Sequence, residues 1–148
     1  MIQRLQTIFL ILITALSVFL FCLPIFDFTL FNTRSSVYLT TIDNWQMYIP
    51  LILNGIVTLL AIICIFLFKN RKFQIKLCNY IMIDSGIIAL IFIYIVIMLS
   101  RDTLIVDYKL PLVFPFLNFA LAFISKRYIK KDDDLVRNAD RIRWKKNR

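Results

Sequence analysis

Four long apolar stretches separated by short polar loops occupy most of this chain, at about residues 5–26, 48–68, 77–99 and 110–129. Coiled as helices, apolar runs of roughly 20 residues match the ~30 Å hydrocarbon thickness of a bilayer. The pattern predicts an all-α membrane protein. It comprises a four-transmembrane-helix bundle over residues 1–129 and a basic, amphipathic tail helix over 130–148. The fourth stretch is the weakest. Its unbroken part is about 15 residues, or ~23 Å of helix, and it carries Pro111 and Pro115. Proline is tolerated in a first turn. Tyr128 and Ile129 can lengthen this helix while Lys126 and Arg127 snorkel.

Charge sets the expected orientation. The first loop holds only Arg34, and the third only Arg101 and Lys109. The second holds Lys69, Arg71, Lys72 and Lys76, and ten Lys and Arg follow from Lys126 onward. Positive flanks stay on the cytoplasmic side, so both termini are expected there. Trp45, Tyr48 and Tyr108 then mark the outer boundary, and Tyr80 and Tyr128 the inner one. In the first loop Phe28, Leu30, Val37 and Leu39 alternate around Asn32-Thr33-Arg34-Ser35. That predicts a small extracytoplasmic β-hairpin between helices 1 and 2; an irregular loop fits the same residues equally well.

Composition narrows the chemistry. The chain is 60% hydrophobic, has no His, and all nine of its acids are Asp. This removes His-based general bases, bis-His haem ligation and nearly every zinc site. No catalytic constellation, metal or cofactor is expected. The net charge of +9 would suggest nucleic acid on a soluble protein. Here it gathers where topology needs it, so nucleic acid is not the expected partner. Cys22, Cys64 and Cys78 are isolated, with no C-x-x-C, and each reads as a small apolar residue. Phe21 stands where a lipoprotein signal needs a small residue, so the first segment is expected to be retained.

The polar residues inside the apolar stretches are the candidate sites. Asp84 lies seven residues into the third stretch, ~10 Å below the surface. A carboxylate there costs a few kcal/mol and should face other helices. Tyr80 and Tyr94 are expected on the same stripe as Asp84. Two readings stay open: a proton or cation site, or a packing residue reaching Lys76 or Lys126. Measured from the outer boundary, Asn54 is expected at ~9 Å, Asn118 at ~12 Å and Asp84 at ~22 Å. Only Thr14 comes near Asp84 in depth, which favours separate interhelical hydrogen bonds over one central site. Asp84-Ser85-Gly86 also matches the aspartic-protease D-S-G, but that chemistry needs a tight loop and the surrounding residues continue a helix.

The tail opens on Asp132, Asp133 and Asp134 and closes on bases, which suits a helix macrodipole. Leu135, Val136, Ala139, Ile142 and Arg143 fall on one arc, opposite Arg137, Arg141, Lys145 and Arg148. Such a helix serves either as a topology-setting charge run or as a docking element for anionic lipid or for a protein or RNA partner. The partners expected for the chain as a whole are the lipid bilayer and a membrane-protein partner or homo-oligomer.

The two ends carry a resemblance. Met1-Ile2-Gln3-Arg4-Leu5-Gln6 and the stretch from Lys131-Asp132 through Leu135-Val136-Arg137 to Asp140-Arg141-Ile142-Arg143 are similar to an uncharacterised bacterial family of four-pass membrane proteins. That family, a domain of unknown function, has an M-x-Q-R-x-Q start and a K-D-x-x-L-V-R-x-x-D-R-x-R tail. Asp133 stands where the family pattern has Glu. The resemblance implies four helices and the bacterial inner membrane, and no activity. It also suggests that Gln3, Arg4 and Gln6 lie against Asp132, Arg137, Asp140 and Arg141. The leading expectation is a non-enzymatic subunit, scaffold or regulator acting through its cytoplasmic ends. The alternative is a small proton- or cation-coupled transporter using Asp84.

Overall fold

The structure is a computed structural model that describes residues 2–30, 33–40, 45–67, 70–101 and 105–146. Side chains are described for residues 7–27, 36–40, 48–67, 70–98 and 106–136. Four helices carry the fold: α1 (Ile2–Cys22), α2 (Trp45–Phe66), α3 (Arg71–Arg101) and α4 (Phe114–Lys146). Three strands complete it: β1 (Pro24–Leu30), β2 (Thr33–Tyr38) and β3 (Ile105–Tyr108). A 3-10 turn, Leu110–Val113, leads into α4. Pro111 is the second residue of that turn and Pro115 the second of α4, both places where a missing N–H costs no helix bond.

The buried positions explain how the helices pack. They recur every three or four residues: Leu10, Ile13, Ser17 and Leu20 on α1; Asn54, Val57, Ala61 and Cys64 on α2; Cys78, Ile81, Ser85, Ile88 and Phe92 on α3; Asn118, Ala122, Ser125 and Ile129 on α4. α1 packs on α2 and α4, and α3 packs on the same two helices. The outward faces are the more apolar ones. Ile8, Ile11, Val18 and Phe19 of α1, Ile52 and Leu59 of α2, Leu90 of α3 and Phe123 of α4 are all exposed. Water would penalise that surface, whereas lipid solvates it, and the buried serines and asparagines set among large apolar side chains offer the interhelical hydrogen bonds that join helices in lipid.

Among the described residues three helices are long and apolar enough to cross a membrane: Tyr48–Phe66, Arg71–Met98 and Leu110–Val136. The last has mean hydropathy 1.3 against 2.6 for the other two, in line with its weaker apolar pattern. The apolar part of α1 among the described side chains, Thr7–Cys22, is shorter.

Several sequence boundaries move. The first helix stops at Cys22, not near 26, because Pro24, Ile25 and Phe26 enter β1. α3 starts at Arg71, not near 77, so its first turn is built from the charged residues assigned to the loop. The fourth stretch and the tail are one helix. The expected break near residue 130 falls inside α4, since no residue from Lys126 to Asp134 is a helix breaker.

The hairpin is present, as β1 paired antiparallel with β2. β3 adds to the other edge, giving the order β2-β1-β3. Asp27 pairs with Ser36 on one side and Asp107 on the other. The register slips between Pro24 and Phe26, and the Ile25 carbonyl accepts the Lys109 N–H at 3.0 Å. Ile25, Phe26, Val37 and Leu39 are buried and join the hydrophobic core.

Candidate functional site

Polar side chains inside the helix packing form two layers, one toward the sheet and one toward the α2–α3 turn. In the first, Ser17 of α1 is the hub. Asn54 of α2 donates from Nδ2 to the Ser17 carbonyl at 3.0 Å, and Asn118 of α4 donates from Nδ2 to Ser17 Oγ at 3.1 Å. All three are buried. The Oδ1 atoms of Asn54 and Asn118 have no hydrogen-bond partner among the described residues. Asn54 and Asn118 were expected to make separate interhelical hydrogen bonds; both instead meet Ser17, which carried no signal that set it apart from any helical serine. Asn118→Leu removes one bond worth about 0.6 kcal/mol in a membrane and one unsatisfied carbonyl. Its unfolding free energy in mixed micelles should stay within about 1 kcal/mol of the parent.

Thr14 does not join this layer. Its hydroxyl donates to the Ile11 carbonyl of its own helix at 2.7 Å.

Asp84 sits apart from it. At 9% exposed it is buried, as expected, but Tyr80 and Tyr94 are 61% and 51% exposed, so the predicted shared stripe is split. They lie only 40–80° round the helix from Asp84 at about 100° per residue, and the edge of the packed face falls within that arc. The depth arithmetic also changes. Cys78 meets Ser125, Asn79 meets Lys126, and a Cβ on Gly86 would touch Phe119. This register sets Asp84 opposite residues 120–121, so Asn118 is only about 3–5 Å away along the axis. The expected 10 Å gap assumed that both helices begin at one boundary, whereas α3 runs on to Arg101.

The two polar groups still do not converge, for an azimuthal reason. Asp84 is turned about 140° from Asn79 and about 160° from Gly86, both of which face α4. It lies on the flank shared with Leu77, Ile88 and Ile95, toward α2. Its carboxylate has no hydrogen bond or ion pair among the described residues. Neither Lys76 nor Lys126 serves it: Lys126 Nζ donates to Asn79 Oδ1 at 2.8 Å on the α4 side, and Lys76 is exposed. Ser85 Oγ donates to Ile81 O at 2.6 Å inside continuous helix, so D-S-G is no protease loop here.

The second layer links α2, α3 and α4. Gln74 donates from Nε2 to the Cys64 carbonyl at 3.2 Å. Cys64 Sγ and Cys78 Sγ are 3.8 Å apart, and Cys78 Sγ is 4.0 Å from Ser125 Oγ. The cysteines read as isolated in sequence; two of the three are neighbours, because the antiparallel α2–α3 hairpin brings positions 64 and 78 level. One turn further out Arg71 NH1 donates to the Asp132 carbonyl at 3.3 Å. Its NH2 is 3.3 Å from Asp132 Oδ2, an ion pair by distance without hydrogen-bond alignment. Asp132 is therefore held by α3. The predicted contacts of Gln3, Arg4 and Gln6 with Asp132, Arg137, Asp140 and Arg141 involve side chains outside the described residues, as do Ile142 and Arg143. Among the docking candidates only Asp132 and Leu135 have described side chains, and Leu135 is exposed.

A third feature was not anticipated. Asp27, 3% exposed, receives Lys109 Nζ at 2.8 Å on Oδ2, tying β1 to the segment between β3 and α4. In sequence both residues read as loop charges. No group of three or more metal-ligating side chains occurs among the described residues.

No curated protein and no solved structure gives a match to the chain. A family described as "Domain of unknown function (DUF4293)" has a model that matches residues 2–142, nearly the whole length. With that coverage, the chain belongs to this DUF4293 family.

Proposed function

We propose that this protein is a non-enzymatic integral membrane protein, a small subunit, scaffold or regulator that works through its cytoplasmic ends. The observation that carries this reading is the unbroken run of α4 from the membrane span to Lys146. Thirty-three residues make about 50 Å of helix, against a ~30 Å hydrocarbon core. A rigid basic extension of roughly 20 Å therefore leaves the bilayer with its direction set by the membrane helix. The Arg71–Asp132 contact braces its base. An open groove of about 420 Å³ lined by Arg127, Lys130, Lys131, Asp134 and Leu135 follows. Three cations beside an exposed leucine suit anionic headgroups or an acidic helix of a membrane-protein partner.

In this reading the four helices form a transmembrane bundle in the bacterial inner membrane. The basic α2–α3 turn and the α4 extension face the cytoplasm, and the sheet faces outward, as charge asymmetry favours. The test is co-purification from native membranes, comparing the full chain with one ending after Tyr128. Stoichiometric partners lost on truncation support the reading; the same lone species from both samples overturns it.

A second reading has its own support. A buried carboxylate with no hydrogen bond among the described residues is what a proton- or cation-coupled carrier requires. That reading expects Asp84→Asn to abolish pH-dependent flux in proteoliposomes while expression is unchanged.

A further inference from the structure

Cys64 and Cys78 are the least explained pair in the interior. Both are fully buried, and their sulfurs touch across the α2–α3 interface at 3.8 Å. Both belong to the hydrophobic core, but polar groups reach each of them as well. Gln74 clamps the Cys64 carbonyl at 3.2 Å and offers its own carbonyl to the Cys64 thiol at 3.8 Å. Ser125 Oγ stands 4.0 Å from Cys78 Sγ, and the next residue, Lys126, is fixed on Asn79 beside Cys78. One thiol is thus backed by acceptors, and the other by a hydroxyl that can donate to a thiolate, with an ammonium group nearby.

We infer that Cys64 and Cys78 form a redox-active dithiol whose substrate is a small, neutral two-electron oxidant of the peroxide class. The enclosure selects for size: with both sulfurs fully buried, a bulky reagent has no approach. The chemistry balances in two steps. Deprotonated Cys78 attacks one peroxide oxygen; the O–O bond breaks, a sulfenic acid forms, and the leaving hydroxide takes up the thiol proton as water. Cys64 sulfur then attacks the sulfenic sulfur. The S–OH bond breaks, and its hydroxyl leaves with the Cys64 proton as a second water. One disulfide and two waters result from two thiols and one hydrogen peroxide. The product is a covalent strap between α2 and α3, next to the base of the α4 extension. To bond, the sulfurs must close to about 2 Å, which draws Cys78 toward α2 and away from Ser125.

The test uses the full chain carrying Cys22→Ser, in nanodiscs, treated with hydrogen peroxide. Free thiols are counted with a maleimide–polyethylene glycol after denaturation, and the intact mass is read in parallel. Both thiols should disappear together, with a mass loss of two hydrogens that dithiothreitol reverses. Cys64→Ser and Cys78→Ser in the same background should each abolish that loss. The proposal is overturned if both thiols persist at a peroxide concentration that oxidises exposed Cys22 in the parent chain. It is equally overturned if oxygen is added without loss of the thiol pair as a unit.

Discussion

Lys109→Met is expected to lower the unfolding free energy by about 2–3 kcal/mol. Breaking a buried ion pair by deleting one partner costs roughly 3–5 kcal/mol, because the remaining charge stays buried without its counterion. The Asp27 carboxylate is 3% exposed but keeps a further contact besides Lys109, so the loss falls below that range. The Lys109 side chain is 33% exposed, and solvent screening brings the figure down. Methionine keeps most of the lysine stem, so the loss reports on charge rather than packing. The double variant Asp27→Asn, Lys109→Met should recover most of the loss, since it leaves no ion uncompensated. Equilibrium unfolding in mixed micelles measures all three. A Lys109→Met chain as stable as the parent would show that the strand-to-α4 link is held by other contacts. The same link matters to the fold, because Lys109 joins the sheet through its backbone as well, to Ile25.

Asp84→Leu should move stability the opposite way, raising it by about 1–3 kcal/mol. An aspartate at mid-helix costs about 2.5–3.5 kcal/mol on insertion scales, and this one has no described hydrogen bond with which to offset it. Leucine repeats its branching at Cγ, is larger, and matches the apolar flank of Leu77, Ile88 and Ile95. Asp84→Asn should gain less, because an amide remains to be solvated. The outcome bears on function. A stabilised chain that has lost flux would mark Asp84 as a working group retained at a cost to the fold. A destabilised chain would mean that the carboxylate is satisfied in the native membrane, and the carrier reading would lose its support.

Legibility differed from element to element. The membrane helices could be read because the bilayer demands long apolar runs, and such runs are visible without any partner helix. The hairpin could be read as far as its alternation went. β3 could not, since four residues, Ile105–Tyr108, are too short to carry a period of their own. The tail was correctly read as helical, but its continuity with α4 was not. Its charge changes at Lys130, and charge was taken for a boundary although the backbone has none there.

The candidate residues divide in the same way. The sequence by itself determined that histidine chemistry is absent, that Asp84 is out of place in an apolar helix, and that positive charge gathers in the 69–76 and 126–148 segments. These are properties of residue type and linear position, which folding does not alter. Only the tertiary structure decided which groups meet. Helix register joined Asn54 and Asn118 through Ser17, set Cys64 beside Cys78, and turned Asp84 away from α4. Strand register gave Asp27 to Lys109. Spacings of 14 residues between the cysteines and 82 between the ion-pair partners leave no local trace, because such contacts depend on how far each helix runs and how it is rotated against its neighbours. Those quantities are set by packing, a property of the assembled helices and of no single segment.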